Sequence, residues 1–175
     1  MDLLLARLAN PGIKSPDLVK QLVQEIGNDP QKFRVFIQAM LHPATQADLA
    51  RRAAGVAEKV ARRHPHLVIP YQAALLKALS SMPTSVLRWH TGLLLSYLPL
   101  SDDLLAEVLD YLFDWLQNDP NKFMKVHCLQ ALANFSQKND WLRPEVILLI
   151  KIEMAKGGAA ANAKGRKLLQ QLRAS

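Results

Sequence analysis

The chain has one cysteine, few aromatic residues and no long apolar run, and each shortage excludes a class of protein. A single cysteine, Cys128, among 175 residues excludes a disulfide scaffold and a cysteine-based zinc site. Aromatic residues make up 6% of the chain, which argues against binding of single-stranded nucleic acid by base stacking. The longest apolar stretch, 93–100, contains Ser96 and Pro99 and is too short to span a bilayer.

Motifs of catalysis and metal binding are also missing. The chain has no Gly-x-Ser-x-Gly elbow and no glycine-rich phosphate loop, and its five histidines include no pair at the i, i+4 spacing of zinc hydrolases. His90 and His127 each follow a basic residue, Arg88 or Lys125, by two positions, so we expect both to pack between helices. Cys128 lies in an apolar helical pattern, which predicts a buried, unreactive thiol. We therefore expect no metal, no cofactor and no enzymatic activity.

The first residues do not resemble a targeting segment. The first charged residue is the acidic Asp2, and the apolar run that follows it ends at Arg7. A secretory signal instead starts with basic residues and has a longer apolar region. Together with the single cysteine, this leads us to expect a cytoplasmic protein that is not embedded in a membrane.

The most informative feature that the chain does have is a repeated segment. Residues 28–33, Asn-Asp-Pro-Gln-Lys-Phe, return ninety positions later as residues 118–123, Asn-Asp-Pro-Asn-Lys-Phe, each time between two amphipathic helical patterns. Ninety residues are about two units of the roughly 40 to 47 residues typical of paired-helix repeats. Linkers of two to five residues predict that consecutive helices lie antiparallel. The sequence thus predicts an all-α, right-handed solenoid of about five antiparallel hairpins, in one domain over residues 1–175.

Helix boundaries are marked by capping chemistry. At Ser15, Asp29 and Asp119 a side-chain acceptor precedes a proline, which suits the first turn of a helix, and Ser101 marks another start. No segment alternates apolar and polar residues over a strand's length, so no strand is predicted. The predicted helices cover 2–9, 16–27, 31–42, 46–64, 67–82, 84–98, 102–118, 121–137, 143–156 and 159–173.

The repeated segments are similar to the second helix of HEAT repeats, which begins with Asp-Pro and continues with a hydrophobic, a basic and small residues and a leucine. The similarity lies at Asp119-Pro120, Met124-Lys125, His127-Cys128 and Ala131-Leu132, and more loosely at Asp29-Pro30, Phe33-Arg34 and Ala39-Met40-Leu41. A third copy at Pro83, Leu87-Arg88 and Leu94-Leu95 has Met82 in place of the aspartate, and Lys164 to Leu169 resembles the last inner helix. The resemblance implies a scaffold with a concave binding surface.

The predicted helix 46–64 carries the best candidate for a binding surface. At about 100° per residue, five cations fall within one arc of about 120°, and an apolar stripe occupies the opposite face. The cations, here called the basic stripe, are Arg51, Arg52, Lys59, Arg62 and Arg63. Such a stripe can follow the phosphates of a nucleic acid. Alternatively, it is a solvated outer face on which Glu58 pairs locally.

Charge also varies along the rest of the chain. A second basic cluster lies in the last dozen residues, and residues 101–119 contain six acids and no lysine or arginine. The second cluster consists of Lys164, Arg166, Lys167 and Arg173. It would extend the binding surface if the solenoid curves both clusters onto one concave face. Surface regions with one sign of charge can steer a charged partner, or they can simply keep the helical repeats in solution.

Two functions remain open at this point. The first is a non-catalytic protein-interaction or scaffold module that binds a protein partner on its concave and partly basic face, and the basic residues favour an acidic partner. The alternative is a HEAT-like protein that binds nucleic acid. Its catalytic version would resemble the HEAT-like alkylpurine DNA glycosylases, which use aromatic residues and a carboxylate in a basic concave cleft. No motif of that class matches this sequence residue by residue, and the one carboxylate to consider is Asp114, beside Trp115. We expect Trp115 to pack against a neighbouring helix instead.

Overall fold

The computed structural model describes residues 2–10 and 16–174, and over these ranges the chain is all-helical and forms no strand. Short 3₁₀ segments cover Pro65–Tyr71 and Asp140–Leu142. The α-helices of the described residues are α1 (Leu3–Ala9), α2 (Pro16–Ile26), α3 (Pro30–Leu41), α4 (Ala47–Ala61), α5 (Gln72–Ala78), α6 (Ser85–Ser96), α7 (Asp102–Asn118), α8 (Lys122–Ser136), α9 (Arg143–Ala155) and α10 (Ala159–Arg173).

Each predicted helix is present, and the main difference lies between residues 62 and 82. The helix predicted to continue to residue 64 ends at Ala61, and the one predicted over 67–82 is α-helical only over Gln72–Ala78. A 3₁₀ segment with Pro70 inside it precedes α5. Because proline has no N–H to donate to an earlier carbonyl, an α-helix could not run through this position unbroken.

The repeated Asp-Pro segments start their helices in different ways. Asp29 is the N-cap of α3, as predicted, and its Oδ1 accepts hydrogen bonds from the backbone N–H groups of Gln31 at 2.8 Å and Lys32 at 3.2 Å. The prediction that Asp119 caps α8 is wrong. The N-cap is Asn121, whose Oδ1 accepts from Phe123 N at 2.9 Å, while Asp119 accepts from Asn121 N at 2.8 Å in the preceding turn.

Two further residues, Ser101 and Ser15, were predicted to cap the starts of helices. Ser101 is the N-cap of α7, but its side chain makes no capping hydrogen bond. The predicted cap at Ser15 lies outside the described residues.

Tertiary contacts divide the chain into two compact units, with the boundary between Leu98 and Pro99. In the first unit α4 is the central helix, since it packs against α1, α2, α3, α6 and the first 3₁₀ segment. Most of the side chains that α4 buries are small, which lets several elements approach its axis at close-packed density. The buried apolar residues of α4 are Ala50, Ala53, Ala54, Val56, Ala57, Val60 and Ala61.

The second unit packs α7 on α8, α8 on α9, and α10 on both α8 and α9. Its core includes Trp115 of α7 and Phe135 of α8, both buried. Gly165 of α10 faces α9 so closely that an added Cβ would lie 2.4 Å from Met154 Sδ, so a side chain here would require the methionine to move. Among the described residues, no helix is both long enough and apolar enough to cross a membrane.

The caps of α3 and α8 should be measurable. Replacing Asp29 or Asn121 by alanine removes the acceptor for orphan N–H groups, so each variant should lose about 1 kcal/mol of unfolding free energy in urea denaturation followed by circular dichroism. Ser101→Ala is the matched control, because this N-cap side chain makes no capping hydrogen bond. Equal losses in all three variants would contradict the assignment of the caps.

Candidate binding site

Three residues of the basic stripe, Arg51, Arg52 and Lys59, lie on α4 opposite the buried alanines and valines, and Arg62 and Arg63 directly follow the helix. Arg51, Lys59, Arg62 and Arg63 are exposed, whereas the side chain of Arg52 is only 16% exposed. The division of α4 into an apolar and a cationic face therefore agrees with its helical spacing.

Part of the stripe is neutralised by carboxylates of the same helix. Arg51 Nη2 donates to Asp48 Oδ1, and Arg52 Nη1 lies 4.0 Å from Asp48 Oδ2. Arg52 also reaches the backbone oxygen of Asn10 at 3.4 Å. These two arginines therefore share one acid, which reduces the charge that they offer to a ligand.

Arg62 is held by a buried carboxylate that the sequence pattern treats as a surface residue. Glu58 is 3% exposed. Arg62 donates to it from Nε at 3.1 Å and from Nη2 at 2.7 Å, and the Tyr97 hydroxyl donates to Glu58 Oε1 at 2.5 Å. The i, i+4 spacing of Glu58 and Arg62 predicts their pairing. Tyr97 follows α6 and lies 39 positions from Glu58 in the sequence, so no local pattern predicts this hydrogen bond.

These contacts set the protonation of the cluster. Burial alone would raise the pKa of Glu58, but the hydrogen bonds from Tyr97 and Arg62, together with the charges of Arg62 and His90, lower it below its ordinary value. Burial and the adjacent charge of Glu58 raise the pKa of Tyr97. At neutral pH Glu58 is therefore ionised, and the Tyr97 hydroxyl keeps the proton that it donates.

Beside this cluster lies a cleft of about 430 Å³ between α2 and α4, here called the α2–α4 cleft. Lys59 of α4 and the two residues that follow the helix, Arg62 and Arg63, line it on one side, and Lys20 of α2 lines it on the other. No carboxylate is among the described residues that line it. The apolar lining comes from Pro16, Val19 and Val23. The sequence analysis missed Lys20, because a single lysine on another helix shows no pattern until α2 and α4 are packed together.

The four residues of the second basic cluster differ in exposure. Lys164 is half-buried and its Nζ donates to Gln130 Oε1 of α8 at 2.5 Å. Arg166, Lys167 and Arg173 are exposed. At about 100° per residue, Arg166 and Arg173 lie on the side of α10 opposite Lys164.

The other residues that the sequence analysis considered for catalysis or ligand binding are packed against neighbouring residues. Cys128 is buried, and burial together with the charge of Asp119 raises its pKa to about 12, so the thiol is unreactive as predicted. His90 faces Gly55 of α4, in agreement with packing between helices. Trp115 is buried, and its ring centroid lies 5.7 Å from that of Tyr111 on the same helix. Its predicted packing against a neighbouring helix stays a prediction.

Asp114 is exposed and accepts a hydrogen bond from Asn118 of its own helix at 2.8 Å. Within the described ranges, no group of three His, Cys, Asp or Glu side chains is arranged to hold a metal ion.

Comparisons of the chain with known protein families, curated proteins and solved structures find no match. The similarity to HEAT repeats therefore stays a prediction.

The Glu58 cluster predicts a pH-dependent contribution to stability. Tyr97→Phe removes a hydrogen bond to a charged group and should lower the free energy of unfolding by about 1 to 2 kcal/mol at pH 7. Because the folded pKa of Glu58 is lowered, this contribution is present above the unfolded pKa, about 4.3, and is lost as pH falls through the folded pKa. The difference between parent and variant should therefore shrink below about pH 4 in urea titrations.

Tyr111→Phe is the control for this measurement, since the Tyr111 hydroxyl makes no hydrogen bond to the described residues. A Tyr97→Phe loss that matches the control, or that stays constant down to pH 3, would contradict the ionised cluster.

Proposed function

We propose that this protein is a non-catalytic protein-interaction module that binds an acidic segment of a partner protein in the α2–α4 cleft. The observation that supports this most directly is the lining of the cleft: Lys20, Lys59, Arg62 and Arg63 surround an apolar surface, and no carboxylate is among them. Acidic side chains can pair with the cations while aliphatic parts of the same segment cover Val19 and Val23.

The distribution of charge favours a protein segment over a nucleic-acid backbone. Arg51 and Arg52 share Asp48, and Arg62 is paired with Glu58, so two carboxylates offset part of the charge of three arginines. Lys20, Lys59 and Arg63 have no carboxylate partner among the described residues. About three phosphate contacts would give a salt exponent near −2.7, whereas tight non-specific DNA binders make about six to ten such contacts.

The proposal also includes an arrangement of the helices and a cellular location for the protein. We infer a HEAT-like, right-handed solenoid of about five hairpins, supported by the packing of consecutive helices α3 on α4, α7 on α8 and α9 on α10. A cytoplasmic location is inferred from the single cysteine, which lies buried as a free thiol.

Nucleic-acid binding is the second candidate function. The observation that favours it is the exposure of Lys59 and Arg63 on one wall of a cleft that carries no carboxylate. In that case the phosphates would take the place of the acidic side chains, with little reading of base sequence.

One titration distinguishes the two functions. Fluorescence anisotropy is measured with a labelled glutamate-rich peptide of about 15 residues, duplex DNA and RNA, at about 50 and 200 mM salt. We expect the peptide to bind at micromolar concentrations and more tightly than either nucleic acid. The charge reversals Lys20→Glu, Lys59→Glu and Arg63→Glu together should weaken peptide binding at least about tenfold.

The matched control changes charge equally outside the cleft, at Arg166, Lys167 and Arg173, which are exposed on α10. Tighter binding of DNA or RNA, lost in the cleft variant, would establish the second function instead. Binding that survives the cleft variant, or that is lost equally in the control, would contradict the site.

A further inference from the structure

A second groove lies within residues 99–175, where the start of α8, the end of α9 and the start of α10 meet. Its volume is about 570 Å³. This α8–α10 groove shares no lining residue with the α2–α4 cleft, so the two sites stand on separate evidence.

The groove exists because side chains are missing between α9 and α10. Gly157 and Gly158 form the turn with φ of 89° and 110°, a conformation that other residues rarely adopt, and a Cβ on either would meet nothing within 4 Å. Ala159 and Ala161 continue the lining with methyl groups only. At Gly165, which also lines the groove, α10 approaches Met154 of α9 closely.

The groove has an apolar floor and an apolar rim. Val126 and Leu129 of α8 and Ile150 of α9 line it, and Leu129 and Ile150 are buried. Phe123 stands at the edge with 68% of its surface exposed. Phe123 thereby extends the apolar surface of the groove that a partner could cover.

Charge surrounds this apolar surface asymmetrically. Four lysines and one glutamate line the groove. The glutamate, Glu153, is already paired with Lys156, and Lys164 donates to Gln130. Lys122 and Lys125, one on each side of Phe123 in the sequence, have no carboxylate partner among the described residues.

We propose that the α8–α10 groove binds an acidic amphipathic helix of a partner protein. Leucine-like anchors at i, i+3 or i+4 and i+7 would occupy the apolar floor, and carboxylates on the flank of that helix would face Lys122 and Lys125. The pairing is electrostatically complementary, since the groove carries a surplus of cations, and the floor needs apolar anchors that a phosphate backbone does not have.

A second copy of this chain is a poorer occupant. Its acidic helix α7 has the right sign of charge, with Asp103, Glu107 and Asp110 exposed. However, the apolar stripe of α7 is buried within its own unit, including Leu105, Leu109 and Leu112. This helix could offer carboxylates to the groove but not the apolar anchors that its floor requires.

The proposal is tested with a designed probe. A fluorescein-labelled helical peptide of about 18 residues carries leucine at i, i+3, i+4 and i+7 and glutamate elsewhere; a second peptide replaces glutamate by lysine, and a third replaces leucine by alanine. The parent protein should bind the first peptide with a Kd below about 100 µM and the other two at least about tenfold more weakly.

Two protein variants locate the binding. Lys122→Glu with Lys125→Glu should weaken it at least about tenfold, while Arg166→Glu with Lys167→Glu, an equal charge change on exposed positions of α10, should alter it less than about twofold. Ala161→Trp fills the groove without changing charge and should also weaken binding at least about tenfold. Circular dichroism melts verify that each variant is folded, and the lysine pair keeps the test valid if Ala161→Trp unfolds.

Several outcomes would overturn the proposal. The first peptide could fail to bind at about 1 mM, or its binding could persist in both groove variants. The alanine peptide could also bind as tightly as the leucine peptide, which would mean that charge attraction alone explains the binding. Self-association of the parent that disappears in the Lys122 and Lys125 variant would assign the groove to a second copy instead. The Lys20, Lys59 and Arg63 reversal should leave the helical peptide bound, so failure of the α2–α4 cleft and failure of this groove are distinguishable.

Discussion

The carboxylate of Glu58 is the constraint on which the first unit depends. It lies on α4, the helix around which that unit packs, and it is almost inaccessible to water. A buried charge is strongly destabilising unless it is paired and hydrogen-bonded. Arg62 and Tyr97 supply both requirements, so the end of α4 and the residue after α6 must hold a fixed geometry around one carboxylate.

The same constraint shapes the cleft beside it. Because Arg62 uses Nε and Nη2 on Glu58, its side chain is oriented at the edge of the α2–α4 cleft but contributes little net charge there. Attraction of an acidic partner then depends on Lys59, Arg63 and Lys20. A stabilising interaction in the core therefore also determines which cations of the basic stripe are available for binding.

Local patterns predicted the helices, and their failures have identifiable causes. Helical spacing placed the apolar and cationic faces of α4 correctly, since both depend only on an angle of about 100° per residue. The repeated Asp-Pro segments suggested identical caps, but Asn121 offers a competing acceptor at the start of α8 where the first copy has Gln31. Pro70 was visible in the sequence, and its effect on an α-helix was underestimated.

The binding surfaces were harder to predict than the helices because each depends on several chain segments. Lys164, Arg166 and Lys167 are close in sequence, but an angle of about 100° per residue puts Arg166 on the side of α10 opposite Lys164. Lys20 joins the α4 cations only through packing of α2, and Tyr97 reaches Glu58 across 39 positions. The Gly157-Gly158 turn indicated a helix end, but the groove that it opens needs α8 to complete it.

Charge is segregated within the second unit, and this explains why the α8–α10 groove does not attract its own acidic helix. The apolar stripe of α7 is buried in the packing that includes α8, which leaves Asp103, Glu107 and Asp110 exposed to solvent. Beyond about 10 Å such charges are largely screened at ordinary salt, so acidic and basic surfaces can persist on one unit at little cost. The basic surface adjoins the exposed side chain of Phe123. Burial of apolar area, which salt does not screen, can add there to the attraction of charge, so the groove combines two contributions to a stable complex.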